Sequence, residues 1–302
     1  MLTTFDVVGF GALNVDKLFQ VDRIARKDEE SSILKFKESC GGSAANTIVG
    51  LARLEHNVGF VGKVGGDREG QLLVDNLRKE QVDINGVIVA KSGKSGVVMG
   101  FVDEEGERAL YVAPGVNDTI SLGEIRQDYL KQARLIHMTS FVGEAAFKTQ
   151  KKIIGQLPEH IKVSFDPGLL YSKRGQFAMR SILERSNIFL PNEVELKLLT
   201  GKNYKEGAKM LIEKGAEIVG IKLGKKGCFV MNRNESHFIK SFKVKAVDTT
   251  GAGDAWNAGF LYGLLNNKNL EESGRIGNFV ASKCITKIGA RRGLPQLPEI
   301  NY

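Results

Sequence analysis

Short apolar runs alternate with longer stretches whose apolar positions recur every three or four residues. The runs at residues 5–11 (FDVVGFG), 58–64, 135–138, 163–165, 188–190 and 218–223 predict buried strands. Helical spacing predicts helices from about residue 46 to 54, over 69–79, up to about 157, over 176–184, 193–199 and 204–214, and over 255–265. Asp67 stands where it would cap the second of these. A shorter strand is expected at 87–89. Strand–helix alternation of this length predicts a mainly parallel sheet with helices on both faces. After 218–223, Gly224-Lys225-Lys226-Gly227 turns the chain into a hairpin strand at 228–231.

Two segments break this rhythm. In residues 18–37 apolar and charged positions interleave, as in Ile33, Leu34, Lys35, Phe36 and Lys37. Residues 96–102 and 109–112 are β-rich and flank the acidic turn Asp103-Glu104-Glu105-Gly106. Half-exposed strands of this kind predict a small second sheet, discontinuous in sequence.

Three stretches carry candidate chemistry. Asn14 and Asp16 follow the first strand, where open α/β sheets bind ligands. In Gly41-Gly42-Ser43-Ala44-Ala45-Asn46, two glycines permit close approach to the backbone, and Asn46 falls in the first turn of the helix that follows. Residues 247–260 (VDTTGAGDAWNAGF) read as a strand end, a small-residue turn and a helix start. Gly251, Ala252 and Gly253 leave N–H groups uncovered at a helix N-terminus, which favours an anion, and Asp254 stands beside them. The helix dipole is expected to keep that carboxylate ionised. Trp256 and Phe260, four residues apart, read as core, and His137 as a core or strand-end histidine.

Composition narrows the reading. With 302 residues, 42% of them hydrophobic, the chain can bury one large core. The net charge is +8, but no run of like charge resembles a nucleic-acid arm. Lys225-Lys226 and Arg291-Arg292 instead suit a small anionic ligand. Cys40, Cys228 and Cys284 are odd in number and unpaired in spacing, which fits a reducing compartment. The chain shows no signal peptide and no apolar run long enough to span a membrane, so a soluble, cytoplasmic protein is expected.

Taken in order, these motifs resemble the ribokinase-like carbohydrate kinases, the PfkB family, over nearly the whole chain. Gly41 to Asn46 with Gly62, Gly65, Asp67 and Gly70 is similar to the N-terminal signature of that family, and Asp248 to Asp254 to its C-terminal signature. Asn192 and Glu195 match its N-x-x-E. The resemblance implies one three-layer α/β/α domain over residues 1–302, with a β-sheet lid from segments at about 13–38 and 94–113. It implies ATP-dependent, Mg²⁺-requiring phosphoryl transfer to a hydroxyl, with Asp254 as base. Gly251, Ala252, Gly253 and Asp254 would form the anion hole. Asn14, Asp16, Gly41, Gly42 and Asn46 would hold the sugar. Asn192 and Glu195 would organise Mg²⁺, water and phosphate. Lys222 (where the family often has Thr), Gly224, Gly227 and Asn278 would line the nucleotide side. A monovalent-cation loop, for K⁺, would map onto Asp248, Thr250, Thr286 and Gly289.

The expected acceptor is a small sugar of the ribose, fructose or 2-keto-3-deoxygluconate type. A nucleoside is the nearest alternative. A sugar phosphate is another, for which Lys35, Lys37 or Arg108 could serve, and a non-catalytic sugar- or nucleotide-binding regulator is a third. No nucleic-acid or membrane partner is expected, and the half-exposed lid strands suit a homodimer across a two-fold axis.

Overall fold

The computed structural model describes residues 4–105 and 107–300. Gly106 of the expected acidic turn, the side chain of Arg108 and both chain ends lie outside the described residues. The chain opens with β1 (Phe5–Phe10), crosses into β2 (Asn14–Val21) and β3 (Ile33–Gly41), and enters α1 (Ser43–Arg53). It continues through β4 (Val58–Val64), α2 (Arg68–Lys79), β5 (Asp83–Val89), β6 (Gly96–Val102) and β7 (Arg108–Ala113). Next come α3 (Gln127–Leu130), β8 (Ala133–Thr139), α4 (Glu144–Gln156) and β9 (Lys162–Asp166). Then follow α5 (Gly168–Ser172), α6 (Gly175–Arg185), β10 (Ile188–Phe189), α7 (Glu193–Thr200) and α8 (Tyr204–Glu213). The last third holds β11 (Ile218–Lys222), β12 (Cys228–Met231), β13 (Ser236–Ile239), α9 (Ala252–Leu265) and α10 (Leu270–Cys284).

The large sheet has nine strands in the order β13-β12-β11-β10-β9-β8-β1-β4-β5. It is parallel from β5 to β11 and antiparallel beyond. Alternate residues of one strand feed opposite layers. In β1, Val8 and Phe10 join a core with Phe147, Met179, Leu196 and Leu211 of α4, α6, α7 and α8. Val7 joins the other, with Ile48 of α1, Leu73 of α2, Trp256 of α9 and Ile276 of α10. The Trp256 and Phe260 rings stack at 4.7 Å inside that second core. His137 is buried, with Nδ1 3.1 Å from Ser164 Oγ. The expected three layers are therefore present.

The second sheet has the order β3-β2-β6-β7, built from both segments that broke the rhythm. On one of its faces Phe19 contacts Phe36 and Phe101, each at 5.0 Å between ring centres, and Phe101 meets Tyr111 edge-on.

Asn14 and Asp16 follow β1 and open β2, at the start of the expected lid segment. Two local expectations fail. No strand ends at Val247-Asp248: residues 240–248 are irregular, and the N–H groups of both residues donate to Ile285 O at the end of α10 instead of to a sheet. The short strand expected at 87–89 begins earlier, at Asp83. Only its C-terminal end was legible, since Asn85 and Gly86 interrupt the apolar run.

Candidate active site

The candidate residues gather beyond the C-terminal ends of the parallel strands, where α/β sheets leave a crevice. Asp166 ends β9, Lys222 ends β11, and Asn192 follows β10 and bridges to Lys222. Above them, Gly251 caps α9 in a left-handed conformation, φ 76°. A Cβ on Gly251 would stand 2.6 Å from Ala290 Cα, so only glycine lets the chain turn here. No side chain caps α9. The Ala252 N–H donates to Thr249 O at 3.2 Å, which takes it out of the expected set of free donors. Those of Gly253 and Asp254 have no partner among the described residues, and both residues line a cavity at the positive end of the helix.

Asp254 joins two helices. Its Oδ1 accepts from Ser43 Oγ at 2.6 Å and its Oδ2 from Asn46 Nδ2 at 2.8 Å, both on α1. Burial pushes its pKa up to about 6, against the lowering pull of those two bonds. The carboxylate stays ionised at neutral pH, as expected, but desolvation makes it more basic than the helix dipole alone would. Asp16, also pushed up to about 6 by burial, lies near enough to Arg291 and Asp254 to feel their charges, the first opposing and the second reinforcing the shift. A Cβ on Gly41 would meet the Asp16 carboxyl carbon at 2.6 Å. Gly42, at φ 107°, turns the chain from β3 into α1. Asn14 is fixed by Asn117, whose Nδ2 donates to Asn14 Oδ1 at 3.0 Å while its amide also clamps the backbone of Leu13.

On the other side of Asp254, a cavity of about 680 Å³ is lined by Asn192, Glu195, Lys222, Gly224, Gly227 and Asn278, with apolar walls from Phe242, Val244 and Ile285. Asn192 and Glu195 form a reciprocal cap on α7: Glu195 N donates to Asn192 Oδ1 at 2.9 Å and Asn192 N to Glu195 Oε2 at 2.8 Å. Glu195 is buried rather than on a solvated helix face, and its pKa is pushed up to about 7 by burial and then by the Asp166 charge. Asn278 lines the cavity, but its amide accepts from Trp256 Nε1 and donates to Ile239 O and Lys240 O. Asp248 accepts from Thr250 N at 2.9 Å and Gly289 N at 2.8 Å, which draws three positions of the expected cation loop together. Thr286 directs its hydroxyl to Lys283 O.

Sequence reasoning passed over Asp166, Ser43, Asn257 and the role of Arg291. Asp166 Oδ2 accepts from Lys222 Nζ at 2.5 Å and from Asn257 Nδ2 at 2.7 Å. Burial opposes its ionisation, but the Lys222 charge and these bonds hold its pKa below the usual carboxylate range. The signal was present: Asp166 ends a buried strand, the position at which such sheets carry function, but Asp166-Pro167-Gly168 also reads as an ordinary turn.

The sequence pattern described as pfkB family carbohydrate kinase matches residues 4–297. An uncharacterized sugar kinase of Archaeoglobus fulgidus is 48% identical over 251 residues, 82% of this chain and 99% of that protein. An ATP-dependent ribose-1-phosphate kinase of Halopiger xanaduensis is 32% identical across 94% of this chain and 93% of its own. The crystal structure of ribokinase from Thermotoga maritima superposes with a TM-score of 0.87 at 28% identity, covering 98% of this chain and 97% of that one. With the fold, the crevice and a match running nearly end to end, the chain belongs to the pfkB family of carbohydrate kinases.

Proposed function

We propose that the protein transfers the γ-phosphoryl group of ATP to a hydroxyl of a small sugar, with Asp254 as the general base. The observation that carries this is the position of Asp254 between two half-sites. Asn14, Asp16 and Asn46 present hydroxyl-binding groups on one side, and the nucleotide-sized cavity opens on the other. A carboxylate with a pKa of about 6 is ionised at neutral pH yet basic enough to take a proton as the attacking hydroxyl acidifies. The N–H groups of Gly253 and Asp254, with Gly251 shaping the turn and Ala252 opening the helix, would receive charge developing on the transferred group. Asn14, Asp16, Gly41, Gly42 and Asn46 would hold the acceptor, the glycines by letting it approach the backbone.

The residues present suit Mg²⁺. Asp166, Glu195 and Asp254 bring three carboxylates around Lys222; the pKa values of Glu195 and Asp254 are raised chiefly by burial, with the Asp166 charge adding to the rise. An ion there would be held by Glu195 and Asn192 through water and by the phosphates. Bound there, Mg²⁺ would neutralise charge on the phosphate oxygens. Lys222, Gly224, Gly227 and Asn278 would border the nucleotide, Asn278 by holding the wall in place. The loop of Asp248, Thr250, Thr286 and Gly289 is the candidate for K⁺.

The ribose-1-phosphate kinase relative keeps a sugar-phosphate acceptor in view, and a nucleoside would also fit between the same half-sites. No helix among the described residues is long and apolar enough to cross a membrane. The lid supports a homodimer: Phe36 and Tyr111 are 56% and 59% exposed on its aromatic face. A panel of sugars, sugar phosphates and nucleosides with ATP, read by ³¹P NMR, tests the reading. A new phosphomonoester from a sugar supports it. Binding without turnover across the panel would favour a regulator.

A further inference from the structure

Arg291 is a buried cation with no carboxylate within 4.0 Å among the described residues; it is 8% exposed, in the loop after α10. Burial holds its pKa below the ordinary guanidinium range, with Cys40, Glu80, Asp16 and Asp254 opposing that shift from further off. Burying a guanidinium without a paired acid is costly unless its hydrogen bonds are placed well. Those bonds go to three separate elements. Nε donates to Asn46 Oδ1 on α1 at 2.8 Å, Nη1 donates to Asn76 Oδ1 on α2, and Nη2 donates to Gly41 O at the end of β3 at 3.3 Å.

The first bond has a consequence at Asp254. The Asn46 amide has one acceptor end and one donor end. Arg291 takes the oxygen, so Nδ2 is the end left to meet Asp254 Oδ2, at 2.8 Å. A flipped amide would set its oxygen against the carboxylate and its NH₂ against the guanidinium, two repulsive contacts in place of two favourable ones. The same side chain also holds Gly41 O, one residue from the Gly42 turn that the acceptor approaches.

We propose that Arg291 is a positioning residue for phosphoryl transfer: it fixes the direction of the Asn46 amide and thereby the orientation of the Asp254 carboxylate. The proposal rests on Asp254 acting as base. Other charged and titratable groups face Asp254 as well: Asp16 of β2, Asp166 of β9, Glu195 of α7, Lys222 of β11 and Cys284 of α10. The variants must therefore separate the hydrogen bond from the charge.

Arg291→Lys does this, because it keeps a cation but cannot bond Asn46, Asn76 and Gly41 together. Its kcat should fall about 10- to 100-fold, with the KM for ATP little changed. Its kcat/KM acid limb should move up by about one pH unit, since an ionised carboxylate that loses a donor is easier to protonate. Arg291→Ala should behave likewise and recover part of its kcat in millimolar guanidinium. Asn76→Ala, which removes a partner of Arg291 remote from Asp254, should leave the acid limb in place. An unmoved acid limb in Arg291→Lys would overturn the proposal, as would a loss of kcat matched by a loss of folded protein in thermal melts. If Arg291→Ala does not fold, Arg291→Lys decides alone. Asp254→Asn, assayed in parallel, separates the two layers. High turnover there defeats the base itself. An inactive Asp254→Asn beside an unmoved limb in Arg291→Lys defeats only the positioning role.

Discussion

Lys222 Nζ lies 2.5 Å from Asp166 Oδ2, and both side chains are enclosed at the ends of their strands. The ammonium also opposes the burial-driven rise in the pKa values of Glu195 and Asp254, so one cation acts on several acids in the crevice. Removing it in Lys222→Met leaves Asp166 buried without a counter-charge, held only by neutral donors from Asn257 and Gly168. That change should cost about 3–5 kcal/mol of stability and most of the turnover. Urea unfolding followed by an activity assay checks this, and wild-type values for both would contradict the role of the pair.

The pH dependence has a definite sign. Asp254 and Asp16 are pushed up to about 6 and Glu195 to about 7, each chiefly by burial. A group with a raised pKa is protonated below that value, so kcat/KM should be lost as pH falls through about 7 to about 6. Because the acids interact, the limb should report the set rather than one residue. A profile flat down to about pH 5 would contradict the account of these carboxylates.

The turn before α9 depends on glycine geometry. At φ 76° and with Ala290 Cα 2.6 Å from any added Cβ, Gly251→Ala must displace the loop carrying the Gly253 and Asp254 N–H groups. Strain of about 1–3 kcal/mol should appear in thermal melts, and kcat should fall about 100-fold. Unchanged kcat would mean that this turn does not position the reacting groups.

The aromatic face of the lid predicts an oligomeric state. Phe36 and Tyr111 are more than half exposed beside Phe19 and Phe101. Light scattering should give a dimer for the wild type and a monomer for Phe36→Ser combined with Tyr111→Ser. A monomeric wild type would remove the lid interface.

Much of the fold was legible because its signals are local. Runs such as residues 58–64 and capped helices such as α2, where Asp67 accepts from Gly70 N, declare themselves over a few residues. The 3₁₀ segments at 115–124 and the short α3 and α5 were not legible, since each is shorter than two helical turns and carries no periodicity. Val247 looked like the end of a strand because it is β-branched, but its backbone is satisfied by the C-terminus of α10, a partner that only the tertiary fold supplies. In the crevice, the glycine turns and Asp254 stood out because their types and spacing are unusual together. Asp166 and Arg291 did not, because what distinguishes them is distance in space: 56 residues separate Asp166 from Lys222, and 245 separate Arg291 from Asn46.

The measurement that bears most directly on the central claim is the turnover of Asp254→Asn with ATP and its best acceptor, alongside binding of both ligands by calorimetry. Asn keeps the shape and can still bond Ser43 and Asn46, but cannot take a proton. A fall in kcat of about 10²–10⁴-fold with binding nearly unchanged is the predicted result. Turnover close to wild type would show that Asp254 is not the base.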